Sequence, residues 1–180
     1  VTGAVAEDTL INRSVVRLIK GDITDLDVDA FVFYAQPDLA LGSGFGGAIA
    51  VRGGPSIQKD LETLAPVATG EAVVSAAGNL KADCIIHAVG PRFREEDTEG
   101  KLRTTVLSSL RCAEEIQVGR LAFPAMGAGY YGIPPDVCAR VMLEVIAGHL
   151  RGTTCIKEVV ICVLDTRQYN AFKDQLEKTR

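Results

Sequence analysis

The run Phe123-Pro124-Ala125-Met126-Gly127-Ala128-Gly129-Tyr130-Tyr131-Gly132 joins a short apolar segment to a glycine-rich turn, and Pro134-Pro135 then opens a helical pattern. A strand, a glycine turn and a helix N-terminus can cradle a phosphate. Glycine lets the backbone approach closely, and free N–H groups with the helix dipole supply partial positive charge. A tight strand-to-helix turn that needs glycine for its dihedrals would use the same residues. A second such stretch, Leu41-Gly42-Ser43-Gly44-Phe45-Gly46-Gly47, lies upstream and leads into Ala48-Ile49-Ala50-Val51, which has the look of a helix start. Gly53-Gly54-Pro55 interrupts that helix, and Ser56 is the expected cap of its continuation through Leu64.

The elements that must hold these loops follow from periodicity. Ser14–Lys20, Val28–Ala35, Thr69–Ser75, Cys84–Val89, Leu121–Pro124 and Val159–Leu164 predict strands. Leu102–Ile116, Pro135–Leu150 and Gln168–Lys178 predict helices, with a charged loop over Arg92–Gly100. Residues 1–13 predict an N-terminal arm or edge strand. Alternation of strands and helices implies a largely parallel sheet covered on both faces. Ligands bind such sheets beyond the carboxyl ends of the strands, where both glycine loops fall, and two phosphate-cradling loops suggest a diphosphate.

With 180 residues, 47% hydrophobic and 23% charged, the chain predicts one globular domain over 1–180. The net charge of −4 gives no global field for nucleic acid, although a local basic patch stays open. No apolar run spans a membrane, and the first residues lack a signal-peptide layout. Cys84, Cys112, Cys138, Cys155 and Cys162 form no C-x-x-C pair. Reduced thiols and a cytoplasmic location are expected, with no metal and no cofactor. Gly42–Gly47 approaches the G-x-G-x-x-G form of dinucleotide oxidoreductases, but the acidic residues about 20 positions on, Asp60 and Glu62, fall in a helical stretch.

In order along the chain come Gly21-Asp22-Ile23-Thr24, Val28-Asp29-Ala30, the Gly42–Ile49 loop, Thr69-Gly70-Glu71-Ala72, Ile86-His87-Ala88-Val89-Gly90-Pro91, and Phe123-Pro124-Ala125 running to Gly132. This pattern resembles the macrodomains, a family that binds ADP-ribose, and covers about Val15 to Leu176. The resemblance implies a three-layer α/β/α sandwich with a mixed, largely parallel sheet. It implies that Asp22 accepts from the adenine amine beside the Ile23 backbone, a task suited to an acceptor-only carboxylate. A turn-closing role after Gly21 suits Asp22 equally. Backbone amides of Gly42, Ser43, Gly44, Phe45, Gly46 and Gly47 and of Gly127, Ala128, Gly129, Tyr130 and Tyr131 would hold the diphosphate. Tyr131 would pack on the distal ribose, and Phe45 would cover the pyrophosphate or that sugar, with core filling as its alternative. Asp165 to Tyr169 would border the adenine pocket, and His87 is structural.

Active members carry Asn-Ala-Ala-Asn where this chain has Phe33-Tyr34-Ala35-Gln36, and many hydrolases carry an aspartate where it has Gly46. Gln36 keeps an amide for the distal ribose. Gly46 and Gly47 are expected to leave room there, for a bulkier adduct or for Phe33, Tyr34 or Phe45. Loss of a general base costs about 10²–10⁴ in rate. Gln36 and Asp38 remain as catalytic candidates, although Pro37-Asp38 is also an ordinary turn pair. The resemblance therefore implies a module that binds ADP-ribose or an ADP-ribosylated macromolecule with weak or no hydrolase activity. The alternative is an ADP-ribosyl hydrolase using water held by the substrate phosphate. Nucleic acid enters only as an ADP-ribosylated substrate, no membrane is involved, and a monomer is expected.

Overall fold

The computed structural model describes residues 6–42 and 44–179. The expected Ser43 contact and the first five residues of the N-terminal arm lie outside these. The β-branched runs form strands β1 (Ala6–Ile11), β2 (Ser14–Lys20), β3 (Ala30–Ala35), β4 (Ala72–Ala76), β5 (Cys84–Val89), β6 (Arg120–Phe123) and β7 (Glu158–Val163). Between them lie helices α1 (Gly44–Gly53), α2 (Pro55–Leu64), α3 (Thr98–Glu115), α4 (Pro135–Leu150) and α5 (Thr166–Thr179).

The strands make one sheet in the order β1-β2-β7-β6-β3-β5-β4. Its centre, β2, β7, β6, β3 and β5, is parallel, and β1 and β4 pair antiparallel at the two edges. Within the N-terminal segment, Ala6–Ile11 thus forms an edge strand. Side-chain alternation along β3 divides the core. Ala30, Val32 and Tyr34 join Leu102, Val106 and Leu110 of α3, Met142 and Ile146 of α4, and Phe172 and Leu176 of α5. Phe31, Phe33 and Ala35 join Ile49 of α1 and Ile57 and Leu61 of α2. The result is the three-layer α/β/α sandwich with a mixed sheet. No helix of the described residues is long and apolar enough to cross a membrane.

Two local expectations change. Helix α1 begins at Gly44, inside the glycine stretch, rather than at Ala48. Glycine disfavours helix, but burial of Ile49 and Gly46 against the core carries the helix back into the loop. Ser56 does not cap α2. Gly54, at φ +88°, occupies the cap position, and Pro55 supplies the first helical residue, which needs no N–H.

Candidate functional site

Strands β3 and β6 are parallel neighbours whose chains leave the sheet in opposite directions. From β3 the chain runs to α1 on one face, and from β6 to α4 on the other. This divergence opens a crevice above the carboxyl ends of the strands, the usual place for a ligand in such sheets. Both glycine stretches border it.

In the first stretch, Gly42 (φ +66°) and Gly44 (φ +60°) take left-handed backbone, and nothing lies within 4 Å of where a Cβ would stand. The N–H groups of Gly44, Phe45 and Gly46 open the first turn of α1, ahead of its first intrahelical bond, and so lack intrahelical acceptors. Their combined partial positive charge suits an anion. Gly46 leaves no extra room, contrary to expectation, whereas Gly47 has ordinary van der Waals space for a Cβ. A Cβ on Gly46 would fall 1.6 Å from the Leu41 carbonyl oxygen, and one on Gly47 3.4 Å from the Gly42 carbonyl oxygen. Phe45 packs inward: its ring stacks near Phe31 at 6.1 Å and meets Phe33 edge-on at 5.0 Å. The core-filling alternative describes this ring.

The second stretch is laced from beneath. Cys138 Sγ of α4 donates to the Met126 carbonyl at 3.0 Å, Met126 N–H points at Met142 Sδ at 3.4 Å, and Ile133 N–H donates to Gly127 O at 2.9 Å. Burial pushes the Cys138 thiol up to about 12, so it serves as a protonated structural donor. Gly127 (φ +81°) has Ile133 filling its Cβ space at 2.4 Å, whereas Gly129 (φ +76°) faces open space. A 3₁₀ turn over Gly129–Tyr131 follows Ala128.

Tyr131 links this stretch to the end of β3 and Gln36. Its ring meets Tyr34 edge-on at 4.6 Å and Tyr130 at 5.3 Å. Tyr34 is buried and donates its hydroxyl to Pro91 O. Burial raises its pKa well above the usual phenol value, and the Cys138, Tyr131 and Glu95 fields add to this. The Arg92 guanidinium lies over both the Tyr130 and Tyr131 rings, at 5.3 and 5.7 Å. Burial raises the Tyr131 pKa, opposed by the Arg92 charge and by a hydrogen bond with the Gln36 side chain. Gln36, Tyr131, Thr69, Gly90, Arg92 and Glu95 line a cavity of about 160 Å³ beside the loops. Thr69, Arg92 and Glu95 were not foreseen. They arrive from loops remote in sequence, and only the adjacency of β3 and β5 brings them there.

The outlying candidates have local partners. Asp22 Oδ1 accepts from Thr24 N–H at 2.9 Å and the Thr24 hydroxyl at 2.6 Å, while Arg52 Nη1 lies 2.8 Å from Oδ2. Partial burial opposes its ionisation, but the Thr24 bonds and the Arg52 charge together hold its pKa below the usual carboxylate range. The turn-closing reading therefore applies, yet the side chain is still 47% exposed. Ile23, in the next 3₁₀ turn, is buried. Asp38 Oδ1 accepts from Ala40 N–H at 2.9 Å, an Asx turn that fits the turn-pair reading. Asp165 Oδ1 accepts from Gln168 N–H at 2.8 Å and caps α5. His87 is fully buried with Nε2 2.7 Å from Ser75 Oγ, below the crevice and away from its surface.

Comparison with known proteins agrees with this architecture. The family model described as Macro domain matches residues 35–142. A macro domain-containing protein of Caldanaerobacter subterraneus subsp. tengcongensis is 38% identical over 169 residues, covering 91% of this chain and 96% of that protein. A Trypanosoma brucei macrodomain solved in complex with ADP is 25% identical with a TM-score of 0.86, covering 92% of this chain and 70% of that one. An Oceanobacillus iheyensis macrodomain solved with ADP shares the fold, with a TM-score of 0.93 at 24% identity over 98% of this chain and 97% of that one. The chain belongs to the Macro domain family.

Proposed function

We propose that the crevice binds ADP-ribose, free or as an ADP-ribosyl adduct, and turns it over weakly or not at all. The observation that carries this reading is the pair of glycine stretches that follow the neighbouring strands β3 and β6 and border one crevice, although the Ala128 N–H is already given to Ala125 O at 3.2 Å. In this reading the diphosphate lies between Gly42–Gly47 and Gly127–Tyr131. The exposed edge of Asp22 accepts from the adenine amine, with Ile23 beside it and Asp165 at the rim. The cavity at Gln36 and Tyr131 takes the distal sugar. Its volume of about 160 Å³ suits a single pentose. The family membership and the ADP complex of the Trypanosoma brucei relative support the same ligand class.

The weak turnover follows from two residues. Phe33 is 7% exposed and packed in the core, so it offers no polar group. Gly46 has its Cβ position filled by the Leu41 carbonyl, so an aspartate there is incompatible with this loop. One observation favours a hydrolase: Asp38 directly follows Pro37, which lines the sugar cavity, so a carboxylate stands close to it in the chain. Calorimetric titration with ADP-ribose, with AMP as control, tests the binding reading. A dissociation constant of about micromolar order for ADP-ribose, with AMP much weaker, is expected. No heat with either would sink it. Release of ADP-ribose from a modified protein, lost on Asp38→Ala, would establish the hydrolase instead.

A further inference from the structure

At the opposite end of the sheet, the β1–β2 turn at Asn12-Arg13 faces the loop that follows α4. Together they border an open groove of about 460 Å³. Three cations line it, Arg13, Arg151 and Lys157, and no carboxylate does. All three are exposed, and among the described residues none is in an ion pair.

The neighbouring carboxylates are committed elsewhere. Glu158 pairs with Arg17 and Arg120, at 3.5 and 2.9 Å. Glu114 accepts from Cys155 N–H and Sγ and the Thr154 hydroxyl and meets His149 Nε2 at 2.7 Å. Partial burial opposes its ionisation, but these bonds hold its pKa near 2, so it stays charged and satisfied. The groove walls are also fixed: Asn12 Nδ2 donates to Leu150 O at 3.2 Å, and Ser14 Oγ to Ile156 O at 2.6 Å. In a chain of net charge −4, this concentrates uncompensated positive charge on a shaped surface.

We propose that this groove is a second anion site, for phosphate groups. Two guanidinium forks and an ammonium match the charge and oxygen geometry of a phosphate better than those of a single carboxylate. The Thr153 side of the groove adds a hydroxyl-bearing residue, and Ile156, the one large apolar residue in the lining, is buried and offers little to a peptide side chain. The site is separate from the crevice. The strands between them, Ser14–Lys20 and Glu158–Val163, span about 20 Å at roughly 3.3 Å per residue. It therefore stands whether or not ADP-ribose binds. The phosphate could be free or part of a nucleic-acid backbone.

Two probes separate these sources: pyrophosphate by calorimetry and a short single-stranded oligodeoxythymidine by fluorescence anisotropy, both at low salt. Each is measured on the native chain and on the Arg13→Ala, Arg151→Ala, Lys157→Ala triple variant, with the thermal midpoint as control for folding. The three side chains are exposed, so the midpoint is expected to hold; Arg151→Glu alone serves if it does not. Because pyrophosphate can also enter the glycine-loop crevice, loss of one binding site in the variant, with any crevice binding retained, assigns a free phosphate ligand. Oligonucleotide binding with a log–log salt slope of about −2, weakened about tenfold or more and flattened in the variant, assigns a backbone. Absence of binding by either probe, or equal binding by the native and variant chains, overturns the proposal.

Discussion

The Leu41 carbonyl oxygen occupies the space that a side chain on Gly46 would need, 1.6 Å from the ideal Cβ position. The departure from the hydrolase pattern is therefore built into the backbone of the first loop. The contact is with backbone, which cannot turn aside as a flexible side chain can. Gly46→Asp, alone or with Gln36→Asn, is expected to cost about 2–4 kcal/mol of stability and to gain no turnover. Thermal unfolding and an ADP-ribose release assay check this together. A variant of unchanged midpoint that hydrolyses its substrate would show that the loop re-forms around an aspartate.

Tyr34 stands where the family pattern places a small alanine, and it ties strand β3 to two loops. Its ring supports Tyr131, and its hydroxyl reaches Pro91 O in the loop after β5. Removing only the hydroxyl with Tyr34→Phe leaves a buried carbonyl short of a donor and is expected to cost about 1–3 kcal/mol. Removing the ring with Tyr34→Ala costs about 3–5 kcal/mol and releases Tyr131. ADP-ribose affinity should be nearly unchanged in the first variant and fall in the second. Equal affinities in both would mean that Tyr131 needs no support from Tyr34.

Much of this was legible because it depends on local pattern. Strand β3 reads as a buried run, and its alternation sends Phe31 and Phe33 one way and Val32 and Tyr34 the other. Helix α4 begins at Pro135 and ends at Leu150 as its sequence predicts, since proline and the apolar stripe mark it directly. The start of α1 at Gly44 was not legible, because glycine signals a loop and only tertiary burial overrides that signal. The filled space at Gly46 was likewise hidden, since sequence reports a missing side chain but not what takes its place. Arg92 and Glu95 sat in a charged loop with no pattern; their position over Tyr131 and beside the cavity follows from β5 lying against β3.

Asp22 serves a turn and, in the proposed function, a base. Asn at this position keeps an acceptor for Thr24 but replaces the charge and half of the acceptor capacity with a donor. Asp22→Asn is expected to keep its thermal midpoint within a few degrees and to weaken ADP-ribose binding by about tenfold. Much of the lost stability is limited because Asp22 and Arg52 are both about half exposed, at 47% and 51%, and such pairs contribute little. Ribose 5-phosphate competition, which needs no base, should be unaffected. Unchanged ADP-ribose affinity would leave Asp22 with the turn alone.

His87 makes the chain sensitive to mild acid. Burial depresses its pKa from the ordinary 6.5 to about 4, with the Asp60 charge opposing only slightly. Nδ1 has no hydrogen-bond partner, and the ring sits edge-on to Phe33 at 5.9 Å, so the Asp60 charge alone favours protonation and burial outweighs it. The unfolded chain takes up a proton near pH 6.5, and the folded chain resists until about pH 4. Its contribution is thus full above pH 6.5 and is lost as pH falls to about 4, amounting to about 3 kcal/mol. His87→Gln can keep a hydrogen bond to Ser75 without titrating. Urea unfolding across this range should give native and variant stabilities whose difference shrinks or changes sign by about that amount on acidification. A pH-independent difference between them would mean that His87 titrates alike in the folded and unfolded chains, and that acid enters this core without cost.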